Sequence, residues 1–327
     1  WETIRSVCFP HLPDLAGPQR SLQIDAHRVE ELRAEHYNAT ITHFDTAHNE
    51  LWRVRVRPDG GQAAWRVGQY CTLGVGGWEP RIDDVDDPIP EANREKLIRR
   101  SYSISSPLFD TRGYMVDPVH EEEIELYVVL VAPDDERIPG LTPRLALMRV
   151  GDRIYLGPKM AGRYTLDAVE DPAAPVIFLS TGTGEAPHNA MVVELLRKGH
   201  YGPILSAVSV RYPNDLAYIE EHRQLEQRYS NYHYLPVITR DPGGAPKRYL
   251  QELAADGSLA EVLGADLDPA TAHVYLCGNP AMIGLAEWEG DEPRFPETVG
   301  MCQVLHEMGF TIDRRGVRGN VHYEEYW

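Results

Sequence analysis

The hydrophobic pattern of the chain changes at Asp171-Pro172, and this change constrains the fold more than any other feature. Before it, short segments alternate apolar and polar residues between turns containing Gly and Pro, which is typical of antiparallel strands. After it, unbroken apolar runs alternate with helical stretches, as in strands buried on both faces of a parallel sheet. The pattern predicts a two-domain α+β protein, with an antiparallel β-barrel at 37–170 and a doubly wound parallel α/β domain at 171–327.

The individual elements follow from the same pattern. Barrel strands are predicted at 38–42, 51–56, 65–73, 98–104, 123–131 and 153–156, and parallel strands at 175–180, 204–210, 234–238 and 273–277. A helix at 142–148 is predicted to interrupt the barrel, with Thr142 as its cap and Pro143 in its first helical position. Residues 1–36 are an N-terminal extension of unknown role with a short helix at 26–36.

Composition excludes several classes of function. The 327 residues are enough for two domains, and 43% hydrophobic with 25% charged residues is typical of a soluble globular protein. No apolar run reaches the roughly 18 residues that a membrane span requires. The net charge of −18 argues against binding to nucleic acid, since a phosphate backbone would be repelled. Two acidic stretches, 79–87 and 121–123, are interpreted as solvated loops, and the acidic insertion 79–93 is of unknown role.

The cysteines indicate the redox environment. Cys8, Cys71, Cys277 and Cys302 are widely separated and form no C-x-x-C pair. This spacing predicts neither an iron–sulfur centre nor a disulfide framework, and we expect no metal site. It agrees with a cytoplasmic location, as does the absence of a signal-peptide pattern at the start of the sequence.

The first parallel strand leads into a glycine-containing turn. Gly182 and Gly184 would let the backbone approach a pyrophosphate, and Pro187 can open a helix whose amino terminus favours an anion. The segment does not match G-x-G-x-x-G. A tight turn without a ligand is the alternative.

Cationic residues follow the next two strands. Arg211 ends the second strand, Thr239-Arg240 ends the third, and Lys247-Arg248 lies on the following loop before a helix at 249–255. The carboxyl ends of parallel strands share one edge of the sheet, so these cations could together bind the monophosphate that distinguishes NADP from NAD. Each arginine taken alone could instead be an ordinary surface charge.

The fourth strand ends in Cys277-Gly278-Asn279-Pro280. The Gly and Pro of this turn would hold the Cys277 sulfur at the ligand edge, although a free cysteine there is often only a small buried hydrophobe.

The sequence ends in Glu324-Glu325-Tyr326-Trp327. These two aromatic residues would stack on a flat ligand, or would dock for structural reasons alone.

The segment Arg100-Ser101-Tyr102-Ser103 combines a cation, an aromatic ring and hydroxyl groups on one predicted strand. Alternate side chains of a strand share a face, so Arg100 and Tyr102 project together. A flavin nucleotide needs such a set, with a charge for phosphate, a surface for the ring and a hydrogen-bonding group near its reactive nitrogens. A surface strand without a ligand is the alternative.

Together, Arg100–Ser103, Thr181-Gly182-Thr183-Gly184 with Ala186-Pro187, Cys277–Pro280 and Tyr326-Trp327 resemble the ferredoxin–NADP⁺ reductase family, and its bacterial branch in particular. The resemblance covers residues 37–327 and implies a flavin-binding barrel followed by a pyridine-nucleotide domain. It also implies that Arg100 holds the FAD pyrophosphate, that Tyr102 and Tyr326 cover opposite faces of the isoalloxazine ring, and that Trp327 contacts adenine.

The resemblance assigns the remaining roles residue by residue. The implied FAD contacts are Arg100, Ser101, Tyr102, Ser103, Tyr127, Val128, Val129, Leu130, Gly140, Leu141, Thr142, Thr183, Tyr326 and Trp327. The implied NADP contacts are Gly182, Thr183, Gly184, Arg211, Thr239, Arg240, Arg248, Cys277, Gly278, Asn279 and Pro280. The implied catalytic residues are Ser103, Cys277, Glu324 and Tyr326.

The implied function is an FAD-dependent oxidoreductase that transfers electrons between NADPH and a one-electron carrier, ferredoxin or flavodoxin, with hydride transfer at flavin N5. One alternative is the reductase component of an oxygenase system, although such a component usually has an iron–sulfur module that this cysteine spacing does not offer. A nucleotide-binding module without redox turnover is the other.

Overall fold

The structure, a computed structural model, describes residues 24–48, 50–61, 64–83, 85, 87–134 and 138–326. The first element of the described residues is helix α1 (Ala26–His36), as predicted. It is followed by strands β1 (Ala39–His48), β2 (Leu51–Pro58), β3 (Tyr70–Gly76), β4 (Leu97–Ser105), β5 (Ile124–Val129) and β6 (Arg153–Leu156), with helix α2 (Thr142–Leu145) before β6.

These six strands close into an antiparallel barrel in the order β1-β2-β5-β4-β3-β6, which confirms the predicted barrel. Its interior is filled by side chains such as Ile41, Val54 and Leu126, all fully buried. Strand β3 begins at Tyr70 rather than at residue 65, because Gly68 turns the chain there with φ +90°.

Two local predictions in the barrel are wrong at the level of single residues. Thr142 does not cap helix α2. It is the first residue of the helix, after Leu141, and its hydroxyl accepts a hydrogen bond from the Val131 N–H at 3.1 Å. Pro143 is then the second residue of the helix and not, as predicted, the first.

The second half of the chain alternates strands and helices. Its strands are β7 (Val176–Thr181), β8 (Ile204–Val210), β9 (Tyr232–Ile238), β10 (His273–Gly278) and β13 (Val321–Glu325), and a small hairpin is formed by β11 (Glu287–Glu289) and β12 (Glu292–Arg294). Its helices are α3 (Glu185–Arg197), α4 (Ile219–Arg228), α5 (Leu250–Ala255), α6 (Ser258–Leu263), α7 (Pro280–Ile283) and α8 (Met301–Glu307). Helix α3 begins two residues before Pro187, which therefore does not open it.

A parallel five-stranded sheet, in the order β13-β10-β7-β8-β9, carries helices on both faces and confirms the predicted α/β architecture. Helices α3 and α4 cover the face that is continuous with the barrel core. Helices α5 to α8 cover the other face. The barrel and the sheet therefore share one apolar core on the α3 side.

The fifth strand, β13, is absent from the prediction. It pairs in parallel with β10, so that Cys277 lies opposite Glu324 and Gly278 opposite Glu325. The ladder continues into the Tyr326 N–H, which donates to the Gly278 carbonyl at 2.9 Å. The segment before Tyr326 is thus an integral part of the sheet.

The acidic stretch 79–87 is not simply a solvated loop as predicted. Glu79 is buried and accepts hydrogen bonds from Arg33 Nε at 2.9 Å, Tyr37 Oη at 2.9 Å and Trp78 Nε1 at 3.0 Å. These bonds connect helix α1 to the barrel. They also stabilise the Glu79 carboxylate, because a buried carboxylate is stable only when hydrogen-bond donors satisfy it.

The same stretch also supports the segment before α2. The buried guanidinium of Arg144 is paired with Asp87 and donates to the Gly140 carbonyl at 2.8 Å. The acidic residues here neutralise and fix a buried arginine, which in turn holds the backbone at 139–142. Among the described residues, no helix is both long and apolar enough to cross a membrane.

Candidate functional site

Two adjacent cavities lie where the barrel meets the carboxyl ends of the parallel strands. The smaller cavity has a volume of about 540 Å³. The larger cavity has a volume of about 1170 Å³. Val129, Thr183 and Tyr326 line both of them and form their shared wall. Both volumes are in or just above the range of small-molecule sites.

The smaller cavity brings together segments far apart in the sequence. It is lined by Tyr70, Arg100, Ser101, Tyr102, Ser103, Tyr127, Val129, Val131, Pro139, Gly140, Leu141, Thr142, Thr183, Glu324, Glu325 and Tyr326. Strand β4 supplies Arg100–Ser103 in register with β3, where Tyr102 pairs with Cys71 and Ser103 with Tyr70. The Arg100 side chain is exposed. Tyr102 is half-buried, and this burial raises the pKa of its hydroxyl.

Ser103, Glu324 and Tyr326 lie close together in the wall of the smaller cavity. Ser103 Oγ donates to Glu324 Oε2 at 2.5 Å. Burial raises the pKa of Glu324, and the hydrogen bond from Ser103 opposes that rise. The Tyr326 hydroxyl is buried beside Ser103 and Cys277, and burial raises the pKa of this tyrosine. Its ring therefore forms the wall of the cavity while its hydroxyl faces the protein.

Cys277 lies beneath the shared wall and is not exposed in either cavity. Its side chain is fully buried, and burial raises the pKa of its thiol, so the sulfur is not a thiolate nucleophile. Gly184 packs against it, because a Cβ at Gly184 would lie 2.3 Å from the Cys277 carbonyl oxygen. The two strand ends therefore approach each other more closely than a side chain would allow.

Backbone turns form the floor of the larger cavity. Gly182 has φ +52° with open space around its Cα. Gly278 has φ +123°, and a Cβ there would lie 2.3 Å from Thr181 Oγ1. That hydroxyl accepts from the Asn279 N–H at 2.8 Å, which fixes the two turns to each other. Asn279 and Pro280 also line the cavity.

The cations of the larger cavity are fewer than the sequence predicts. Of the described residues that line it, only Arg211 is cationic, and its guanidinium lies 3.5 Å from Glu50 Oε2 and 3.9 Å from Asp215 Oδ2. Arg240 and Arg248 are not in the described lining. Arg248 is instead paired with Asp256, whose pKa is lowered to about 2 by hydrogen bonds from Ser258 and this arginine.

The sequence is similar to those of several known proteins. A family model described as "Oxidoreductase NAD-binding domain" matches residues 178–287. The flavodoxin/ferredoxin–NADP reductases of Shigella flexneri and Escherichia coli K12 are each 30% identical, over 49% of this chain and 63% of their own length. That of Rhodobacter capsulatus is 28% identical over 83% of this chain and 90% of its own.

The solved structure of a ferredoxin NADP⁺ reductase from Neisseria gonorrhoeae, with bound FAD and NADP, superposes with a TM-score of 0.65 and covers 88% of this chain and 97% of its own, at 20% identity. The chain is thus similar in sequence to flavodoxin/ferredoxin–NADP reductases and shares the fold of the Neisseria protein. The alignments with the Shigella and Escherichia relatives span less than two thirds of those proteins.

Most residues that the ferredoxin–NADP⁺ reductase resemblance implies for the flavin line the smaller cavity. Leu130 lines the larger cavity instead, and Val128 is buried in the barrel core. The assignment of Trp327 lies outside the described residues. For the nucleotide, Gly182, Thr183, Arg211, Thr239 and Gly278–Pro280 line the larger cavity, with Gly184 and Cys277 packed beneath it.

Several lining residues were missed by sequence reasoning. Tyr70 lines the smaller cavity, and its pairing with Ser103 across the β3–β4 hairpin was the signal that could have found it. Glu50, Tyr249, Thr298 and Val299 line the larger cavity. No sequence pattern marks the last two, which follow the β11–β12 hairpin. In the described part of the chain, no cluster of three or more His, Cys, Asp or Glu is placed to hold a metal ion.

Proposed function

We propose that the smaller cavity binds FAD and the larger cavity binds NADP(H), and that the chain is an FAD-dependent oxidoreductase acting between NADPH and a one-electron carrier, ferredoxin or flavodoxin. The observation that carries the proposal is the shared wall, because Tyr326 and Thr183 line both cavities. A flavin in one and a nicotinamide in the other would then be neighbours. The names of the relatives support the carrier class.

The residues of the smaller cavity fit a flavin. The rings of Tyr102 and Tyr326 offer flat apolar surfaces, and Arg100 offers a cation for phosphate. The backbone at 139–142, held by Arg144, supplies a narrow wall: a Cβ at Gly140 would lie 3.3 Å from Ile98 Cγ2.

The residues of the larger cavity fit a dinucleotide. The open backbone at Gly182 and the turn at Gly278 leave room for a pyrophosphate to approach, and Arg211 offers a guanidinium for a phosphate. The exposed Tyr249 ring, beside these groups, is a surface on which a base can stack. Participation of Arg240 and Arg248 in recognising the 2′-phosphate remains part of the proposal and requires their side chains to turn toward the ligand.

When bound, FAD would accept a hydride at N5 and release electrons singly. Ser103 and Glu324 would hold a proton in the wall of the smaller cavity, since burial favours the neutral form of this carboxyl group. Tyr326 would exclude water from the same place. Because its ring separates the two cavities, it must move for their contents to meet, and the segment then acts as a gate.

Purified protein tests the proposal in two stages. Anaerobic addition of NADPH should bleach the yellow flavin, and NADH should do so much more slowly. The reduced protein should then pass electrons to members of a panel of ferredoxins and flavodoxins. Turnover only with the ferredoxin or oxygenase of a hydroxylating system would favour the oxygenase-reductase alternative. Protein that is colourless, or yellow and unchanged by NADPH, would favour a redox-inactive nucleotide-binding module.

A further inference from the structure

A small appendage separates helices α7 and α8. Residues 285–299, here called the hairpin excursion, contain strands β11 and β12 joined at Gly290. The chain leaves and returns at one point, because a Cβ at Gly300 would lie 2.4 Å from the Cα of Gly284. Gly284 has φ +63°, which a residue with a side chain would adopt only with strain. The excursion therefore has a closed neck.

Contacts outside the cavity hold the hairpin excursion in place. The guanidinium of Arg314 lies 4.1 Å from the centre of the Trp288 ring and donates to the Gly290 carbonyl at 2.7 Å and to Asp291 Oδ1 at 2.6 Å. Phe295 packs against His306 of helix α8 with ring centres 5.6 Å apart. A cation stacked on tryptophan and hydrogen-bonded to the turn fixes the hairpin against the sheet.

The last two residues of the excursion reach the larger cavity. Thr298 and Val299 line it, and Val299 is 50% exposed although it is apolar and lies on a fixed segment. Helix α8 follows directly and packs against α5, whose first residues also line the cavity next to the exposed ring of Tyr249. These residues line the larger cavity alone, whereas Thr183 and Tyr326 line both cavities.

We infer that the hairpin excursion is a wall of the dinucleotide site that contacts the adenosine half through Thr298 and Val299. The inference rests on the proposed function, which places the nicotinamide at the shared wall and so leaves the adenosine among the residues that line the larger cavity alone. Contact with a base or ribose would cover the exposed valine, and the fixed neck means that little conformational entropy is lost on binding.

The test measures binding of adenosine 2′,5′-bisphosphate and of NADP⁺ by calorimetry to FAD-loaded protein. Val299→Ala should weaken both ligands by the same factor, about 3- to 10-fold, because the lost contact is in the half that they share. Val150→Ala, at a valine of the barrel domain that is 60% exposed, is the matched control and should change neither. Arg314→Ala, which loosens the excursion from outside the cavity, should weaken both ligands by about 2- to 5-fold.

Wild-type affinity in Val299→Ala, with a wild-type melting temperature, would overturn the inference and leave the proposed function intact. A wild-type protein that binds neither ligand would instead contradict the proposed function, and this inference with it. A loss confined to NADP⁺ would place Val299 at the nicotinamide half and would also overturn the inference.

Discussion

The two cavities differ in what holds their side chains in place. In the smaller cavity, Arg100–Ser103 project from a strand whose pairing with β3 fixes the direction of each residue, and the facing backbone is held by a buried arginine. In the larger cavity the floor is equally fixed, but the cations proposed to bind phosphate lie on loops. Arg211 lines the cavity and Arg248 does not, and both lie against carboxylates of their own chain. Strand register fixes a side chain, whereas a loop leaves a long cation available to whichever anion is nearest.

The largest effect is expected at the fixed cavity. Tyr102→Ala removes a ring from the proposed flavin site and should weaken FAD binding by at least about 100-fold, close to 3 kcal/mol. The measurement is a fluorescence titration of apoprotein with FAD. Tyr114→Ala, which truncates a tyrosine that is 68% exposed, is the control and should bind FAD normally. Equal affinity for FAD in both variants would show that the smaller cavity is not the FAD site.

A smaller effect is expected at the wall between the cavities. Tyr326→Ala should tighten binding of NADP⁺ to the FAD-loaded protein roughly 10- to 30-fold, because no ring has to be displaced before the nicotinamide reaches the flavin. Difference absorbance of the flavin measures it. Tyr201→Ala, at a tyrosine that is 67% exposed, controls for the loss of a ring. Unchanged affinity in Tyr326→Ala would mean that this residue does not separate the sites.

Arg211 and Arg248 should contribute differently to the affinity for a phosphorylated ligand. Arg211→Ala should weaken adenosine 2′,5′-bisphosphate roughly tenfold and 5′-AMP hardly at all, since Arg211 alone among the described lining residues is cationic. Arg248→Ala should cost less than about threefold, because its guanidinium is paired with Asp256. A larger loss in Arg248→Ala would show that the ligand draws this arginine into the site, as the sequence predicts.

The smallest effect is expected at the ion pair between Arg248 and Asp256. It shows whether Asp256 holds Arg248 away from the ligand. Asp256→Asn removes the competing charge and should tighten adenosine 2′,5′-bisphosphate about two- to fivefold, with 5′-AMP unchanged. Asp266→Asn makes the same chemical change at another exposed position and should have no effect. The same small gain in both variants would reflect net charge alone and would remove Asp256 from the account.

The sequence predicts the features that strands and turns fix locally, and it does not predict those that depend on distant partners. The R-S-Y-S segment and the glycines after β7 and β10 were found because strand periodicity and backbone turns are local properties. Strand β13 was missed because Val321–Glu325 is polar and aromatic rather than an unbroken apolar run, and the sheet supplies its pairing. The direction of Arg248 and the approach of Val299 to the cavity depend on partners distant in sequence, which periodicity does not reveal.

A crystal structure of the FAD-loaded protein would locate the flavin itself. We expect the tricyclic ring in the smaller cavity, between the side chains of Tyr102 and Tyr326 and beside Ser103 and Glu324. A flavin bound elsewhere, or a smaller cavity that stays closed in protein shown to be saturated with FAD, would contradict this expectation.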